Sequence, residues 1–159
     1  MSVNKYRPHV FILPEDDANR QLAKGFELEV RYGRRIQTQP EAGGWLAVCE
    51  IFLSEHVKEM RKFPERRLVL LLDFDNQSDR PDIVKEGVPE DLRDRVFLLG
   101  VKSEPEALKQ AGLGSFEDIG KRLATACRDG TEGLWTHDLL QRNASEIKRL
   151  EQVVCVILF

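Results

Sequence analysis

The segment 68–72 (LVLLL) limits what this chain can fold into more than any other. It is continuous, apolar and only five residues long. Such a run reads as a strand buried on both faces, the position of a central strand in a parallel sheet. It leads with no turn residue into Asp73-Phe74-Asp75-Asn76. A buried strand that ends in two carboxylates delivers them to one edge of a sheet. Two other short apolar runs, 9–13 (HVFIL) and 96–99 (VFLL), have the same character. A weaker strand is expected around Ile36.

Helical patterns separate these runs. Asp16 or Asp17 is placed to cap a helix over 19–29, with Leu22, Phe26 and Val30 on one face. The PEAGG segment, 40–44, is a loop by its Pro and Gly content. A long helix follows over 45–62, with Trp45, Val48, Cys49, Phe52, Val57 and Met60 at roughly helical spacing, and Pro64 ends it. The polar stretch after Asp75, with Pro81 and Pro89, reads as a loop followed by a short helix near 90–95. Helices are expected over 105–111 and 115–128, the second opened by Ser115 with Asp118 in a capping-box pattern. One or two more lie in 135–151. The last run, 153–159 (VVCVILF), reads as a final strand, at a sheet edge or in a subunit interface.

Strands alternating with helices predict an α/β fold with a mainly parallel central sheet and helices on both faces. The 159 residues suit a single domain, with a core over about 9–101 and a helical part with a terminal strand over about 104–159. The net charge of −3 excludes a wholly basic nucleic-acid footprint. No apolar run reaches membrane-spanning length. The first ten residues carry no secretory apolar region, and the three cysteines are widely spaced and odd in number. Both features predict a cytoplasmic chain with Cys49, Cys127 and Cys155 reduced and buried. There is no P-loop, dinucleotide fingerprint or nucleophile elbow.

Ligand crevices in open α/β sheets lie outside the carboxyl ends of the strands. Asp73 and Asp75 fall there, and Glu15-Asp16-Asp17 falls there on the first strand. Mg²⁺ favours carboxylate oxygen and water, and takes one or two protein carboxylates. Asp73 and Asp75 are therefore the candidate metal ligands, for Mg²⁺ or Mn²⁺. Glu15 is the candidate third group, as a ligand or as the group that moves a proton. Helix capping is the better reading for Asp16 and Asp17. Glu104 and Glu106, after the 96–99 strand, are candidate further acids of the site; the competing reading is an acidic helix start. Arg31, Arg34 and Arg35, with Lys24, are candidate phosphate contacts, since few acids lie near them in sequence. A second basic group around Lys58 and Arg66 is interleaved with Glu55, Glu59 and Glu65, and reads as a solvated face.

FILPEDDANRQL and LVLLLDFDNQ together resemble the Toprim domain of type IA and type II topoisomerases, bacterial primases, RecR repair proteins and overcoming-lysogenization-defect nucleases. The resemblance spans 10–101, and PEAGGW is similar to the loop before the second helix in small stand-alone Toprim-like proteins. It implies a Rossmann-like Toprim fold, with Glu15 as catalytic glutamate and Asp73 and Asp75 as the Mg²⁺ pair. It also implies phosphodiester chemistry on nucleic acid. The sequence departs from the family in Asp16, where Gly is common, in Asn19, where an acid is common, and in lacking Gly after Asp75. DFDN also resembles the motif of haloacid-dehalogenase-type phosphatases and NYN-type ribonucleases. In both, the motif sits on the first strand, so chain order favours Toprim. Tyr6 and Tyr32 have no nucleophile context, which points to a hydrolytic nuclease rather than a strand-passing enzyme. The alternative expectation is a non-catalytic Toprim-fold subunit of a larger defence or repair complex. Its protein partner, or a second copy, would dock on the apolar C-terminal tail.

Overall fold

The computed structural model describes residues 2–159. Four strands form one parallel sheet: β1 (His9–Pro14), β2 (Ile36–Thr38), β3 (Arg66–Asp73) and β4 (Val96–Val101), in the order β2-β1-β3-β4. The chain is a Rossmann-like α/β fold. The weak strand at Ile36 forms, and it is only three residues long. The 68–72 run becomes β3, hydrogen-bonded on both sides, in register Leu13↔Leu70↔Leu98.

Alternation along the strands divides the core. Phe11, Leu13, Leu68, Leu70, Leu72 and Leu98 face α2, a continuous helix over 45–62 with a π turn at Phe52–His56. Val84 of the short helix α3 (Arg80–Glu86) closes this layer. Val10, Ile12, Val69, Phe97 and Leu99 face the other way. That face is covered by α1 (Asp17–Leu28), α4 (Pro105–Gln110), α5 (Phe116–Asp129) and α6, which spans 144–158. α1 and α5 approach so closely that a Cβ on Gly120 would overlap the Leu22 carbonyl, and one on Gly25 the Glu117 backbone. Ser115 caps α5 with the predicted capping box.

Two expectations are corrected. The 153–159 run is not a strand. It is the last two turns of α6, with Leu150, Val154, Cys155 and Leu158 on the sheet and Val156 66% exposed. A seven-residue apolar run fits either period, and here the helix begun at Ala144 carries through it. A fifth strand has no free edge to join at β4. The carboxylate of Glu146 accepts from the Leu98 N–H, and the Asn143 amide bonds both the N–H and the carbonyl of Gly100. Side chains thus seal an edge that would otherwise invite pairing. The cysteines are the second correction. Cys127 of α5 and Cys155 of α6 form a disulfide, with Cα atoms 5.8 Å apart, and Cys49 alone is free. The polar stretch after Asp75 also holds a helix, α3, that its two prolines obscured. No helix among the described residues is long and apolar enough to cross a membrane.

Candidate functional site

β1 and β3 lie side by side, so the residues following them meet at the carboxyl end of the sheet. Glu15 continues the ladder through its N–H to the Leu71 carbonyl, 2.9 Å. Its side chain then turns across β3, and Oε2 accepts from the Asp73 N–H at 2.6 Å. The Gly43 and Gly44 N–H groups bond the Glu15 carbonyl, at 2.8 and 3.2 Å. Both glycines have left-handed φ, 97° and 142°, which brings the PEAGG loop onto this corner.

Asp16 caps α1 by accepting from the Asn19 N–H, 3.0 Å. The capping reading holds, and the structure adds to it. The Asn19 amide donates both to Asp16 Oδ1 (3.0 Å) and to Asp73 Oδ1 (2.8 Å), so one side chain ties the two carboxylates together. Asn19 is fully buried, and its own Oδ1 has no hydrogen-bond partner among the described residues. The sequence gives little sign of this role for Asn19, which rests on its position four residues after Glu15 and on α1 being a helix.

Glu15 and Asp73 are both buried. Burial, and the nearby charges of Asp16 and Asp75, raise the Glu15 carboxyl above its ordinary range, against the Asp73 N–H bond and Arg80, which lower it. Burial pushes Asp73 up to about 8, with Asp16 and Glu15 adding to the shift and the Asn19 amide opposing it. A proton or a cation is the natural complement of such a group.

Asp75 goes elsewhere. β3 ends at Asp73, Phe74 is buried, and Asp75 and Asn76 take left-handed conformations with φ 47° and 57°. Their N–H groups bond the Ser103 and Lys102 carbonyls, at 3.0 and 2.8 Å. This turn aims the Asp75 carboxylate at Arg80 of α3, with which it forms an ion pair. The same Arg80 nitrogen donates to the Asp73 carbonyl at 3.2 Å, and the guanidinium lies 4.6 Å from the centre of the Trp45 ring.

The remaining candidates are dispersed. Glu104 and Glu106 are exposed at the start of α4, and neither is joined by a hydrogen bond or ion pair to the acidic cluster among the described residues. Arg31, Arg34 and Arg35 precede β2, which runs parallel to β1, so they stand at the amino end of the sheet, opposite Glu15 and Asp73. Arg31 and Arg35 flank the Tyr32 ring, and Arg35 also donates to the Ile157 carbonyl of α6 at 2.9 Å. The cation that pairs with Asp75 at the acidic end is Arg80, whose sequence signal is the Pro81 that follows it, a helix-start residue.

The donors here are hard oxygens: the carboxylates of Glu15, Asp16 and Asp73, with the Asn19 amide N–H turned to two of them. That set suits Mg²⁺, which needs one or two protein carboxylates and keeps waters for the rest. Among the described residues no group of three or more His, Cys, Asp or Glu side chains is placed to hold a metal ion. Comparison of the chain with protein-family models, with curated proteins and with solved structures finds no match.

Proposed function

We propose that this chain is a Toprim-like, divalent-cation-dependent protein that acts on phosphodiesters of nucleic acid. The observation that carries the reading is the junction of the buried Glu15 and Asp73 with the half-buried Asp16 around Asn19 at the carboxyl ends of β1 and β3. Asp73 and Asp16 would hold Mg²⁺ or Mn²⁺, the cation replacing the Asn19 amide N–H that bridges them here. The bound cation would supply charge stabilisation at a phosphoryl oxygen. Glu15 has its Oε2 committed to the Asp73 N–H. Its other oxygen, on a carboxyl raised by burial, is suited to carry a proton to or from a reacting group.

Calorimetric titration of Mg²⁺ and Mn²⁺ tests the reading. The wild type should bind, Asp73→Ala should not, and a screen of single- and double-stranded DNA and RNA should show cleavage that Glu15→Gln abolishes. A folded wild type that binds neither ion removes the metal from the account. A second reading, a cation-binding subunit without turnover, is favoured by the commitment of Asp75 to Arg80 and of Glu15 Oε2 to the backbone. It predicts metal binding at Asp73 with no cleavage of any of the four substrates.

A further inference from the structure

Arg80 stands beside the acidic junction with most of its hydrogen-bonding capacity unspent. A guanidinium carries five N–H donors in a planar fork. Here Nη1 serves both the Asp75 carboxylate and the Asp73 carbonyl. Among the described residues neither Nε nor Nη2 makes a hydrogen bond, and neither is a buried unpartnered atom. Both atoms of the edge formed by Nε and Nη2 therefore keep some contact with solvent, on a side chain that is otherwise mostly covered. That edge is the geometry that grips a carboxylate or phosphate with two parallel bonds.

The plane of the fork is fixed. The Trp45 ring packs 4.6 Å from Cζ, and the Arg80 side chain is only 13% exposed. Trp45 opens α2 directly after Gly43-Gly44, whose N–H groups hold the Glu15 carbonyl. One short loop thus ties the stacking ring to the acidic junction. A pre-oriented arginine loses less freedom on binding an anion than a mobile surface one.

Asp75 is the counter-ion in residence, and it is weakly held. Its side chain is about half exposed, in the range where an ion pair contributes little. Its backbone is in the left-handed region. Arg20 is a poorer candidate, being more exposed and already shared between Asp17 and Glu41.

We propose that Arg80 is a phosphate subsite of the acidic cleft and that Asp75 competes with the phosphate for it. A phosphate on the Nε–Nη2 edge of Arg80 places negative charge beside Asp75 and loosens its ion pair. Asp75 is then free to turn toward Asp73, so that an anion and a cation would bind with mutual reinforcement. This last step rests on the function proposed above; the subsite itself does not.

The test is a titration with inorganic phosphate, free of divalent ions and at constant ionic strength, followed by the ¹H–¹⁵N signal of the Trp45 indole, which lies against Arg80 and is present in every variant. The wild type should show that signal shifting with phosphate. Arg80→Gln should bind roughly tenfold more weakly or worse, the loss expected when a charge-assisted pair of bonds is removed. Arg80→Lys, which keeps the charge and the fold but not the fork, should fall between them. Asp75→Asn should bind several-fold more tightly than wild type. Equal phosphate affinity in wild type, Arg80→Gln and Arg80→Lys overturns the subsite. Unchanged or weaker affinity in Asp75→Asn overturns the competition. The same titration with a hexathymidylate strand assigns the subsite to nucleic-acid phosphodiester if the strand binds more tightly, and to free phosphate if it does not. No metal is present, so a failure of Mg²⁺ binding at Asp73 and a failure at Arg80 are separate results.

Discussion

The two ends of the sheet hold buried charge of opposite sign and treat it in opposite ways. At the amino end Arg66 is 2% exposed, with no ion pair among the described residues. Its guanidinium stacks 4.0 Å from the Phe11 ring and 5.3 Å from that of Phe63. Nε donates to His9 Nε2 at 2.9 Å, while His9 Nδ1 lies 2.8 Å from the Arg7 carbonyl. His9 must then be neutral, protonated at Nδ1, and burial lowers its pKa, as it does that of His56 nearby. The charge is absorbed by aromatic faces and a neutral acceptor. At the carboxyl end Asp73 has a single amide and two further carboxylates around it. One end is closed by its own side chains, and the other is left for something that brings positive charge.

The largest expected effect follows from that difference. Asp73 has its pKa raised to about 8 from 3.8, so the neutral acid is the form the fold favours. Its contribution to stability is full below pH 3.8 and is lost as pH rises through about 8. By linkage the loss amounts to several kcal/mol above that pH. Asp73→Asn should therefore raise the melting temperature at pH 8.5 and flatten its fall between pH 4 and 8. A wild-type melting temperature that does not decline over that interval breaks the contrast. The histidines work the other way. Their pKa values are lowered, so their contribution is present above pH 6.5 and is lost as pH falls through the folded-state values.

Next in size is the disulfide. It ties α5 to α6, whose C-terminal end reaches the amino end of the sheet at Arg35. With a sequence separation of 28, loop-closure entropy puts the cost of Cys155→Ser at about 3–4 kcal/mol. Denaturant unfolding with and without a reductant measures it, and wild type under reductant should match the variant. Then comes His9→Phe, which leaves Arg66 Nε without an acceptor inside the protein. An unmade bond to a buried charged donor costs about 2–3 kcal/mol. The same variant should lose much of its acid sensitivity, since the group that must stay neutral is gone.

How much of this could be read beforehand differs from residue to residue, for physical reasons. β3 was legible because a short apolar run between a Pro and two Asp leaves one plausible element. The positions of Glu15 and Asp73 followed from parallel pairing alone. The 153–159 run was not legible, because its direction is set by Glu146 and Asn143 sealing β4, and those contacts are long-range. The pairing of Cys127 with Cys155 depends on how α6 crosses the sheet, which no spacing encodes. Asp16 was legible as a cap, but its meeting with Asp73 needs Asn19 on the inner face of α1. Asp75 is expected beside Asp73 because both stand where the strand ends and their side chains can converge. Alternation stops where the backbone turns left-handed, and Asp and Asn are the non-glycine residues that allow such a turn without warning.

The smallest predicted effect on stability bears most directly on what the carboxyl end is for. Asp75→Asn removes a half-exposed ion pair, so unfolding free energy should change by less than about 0.5 kcal/mol. At the amino end, by contrast, altering His9 or Arg66 should cost stability in every case, because His9 is the hydrogen-bond acceptor of the buried Arg66, whose Nη2 has no partner among the described residues. If Asp75→Asn leaves the denaturation midpoint in place while altering the binding of phosphate or Mg²⁺, the charge there is held for a ligand rather than for the fold. A loss of 2 kcal/mol or more would instead make Asp75 and Arg80 a structural clasp on the 73–80 turn. The two ends of the sheet would then differ only in sign.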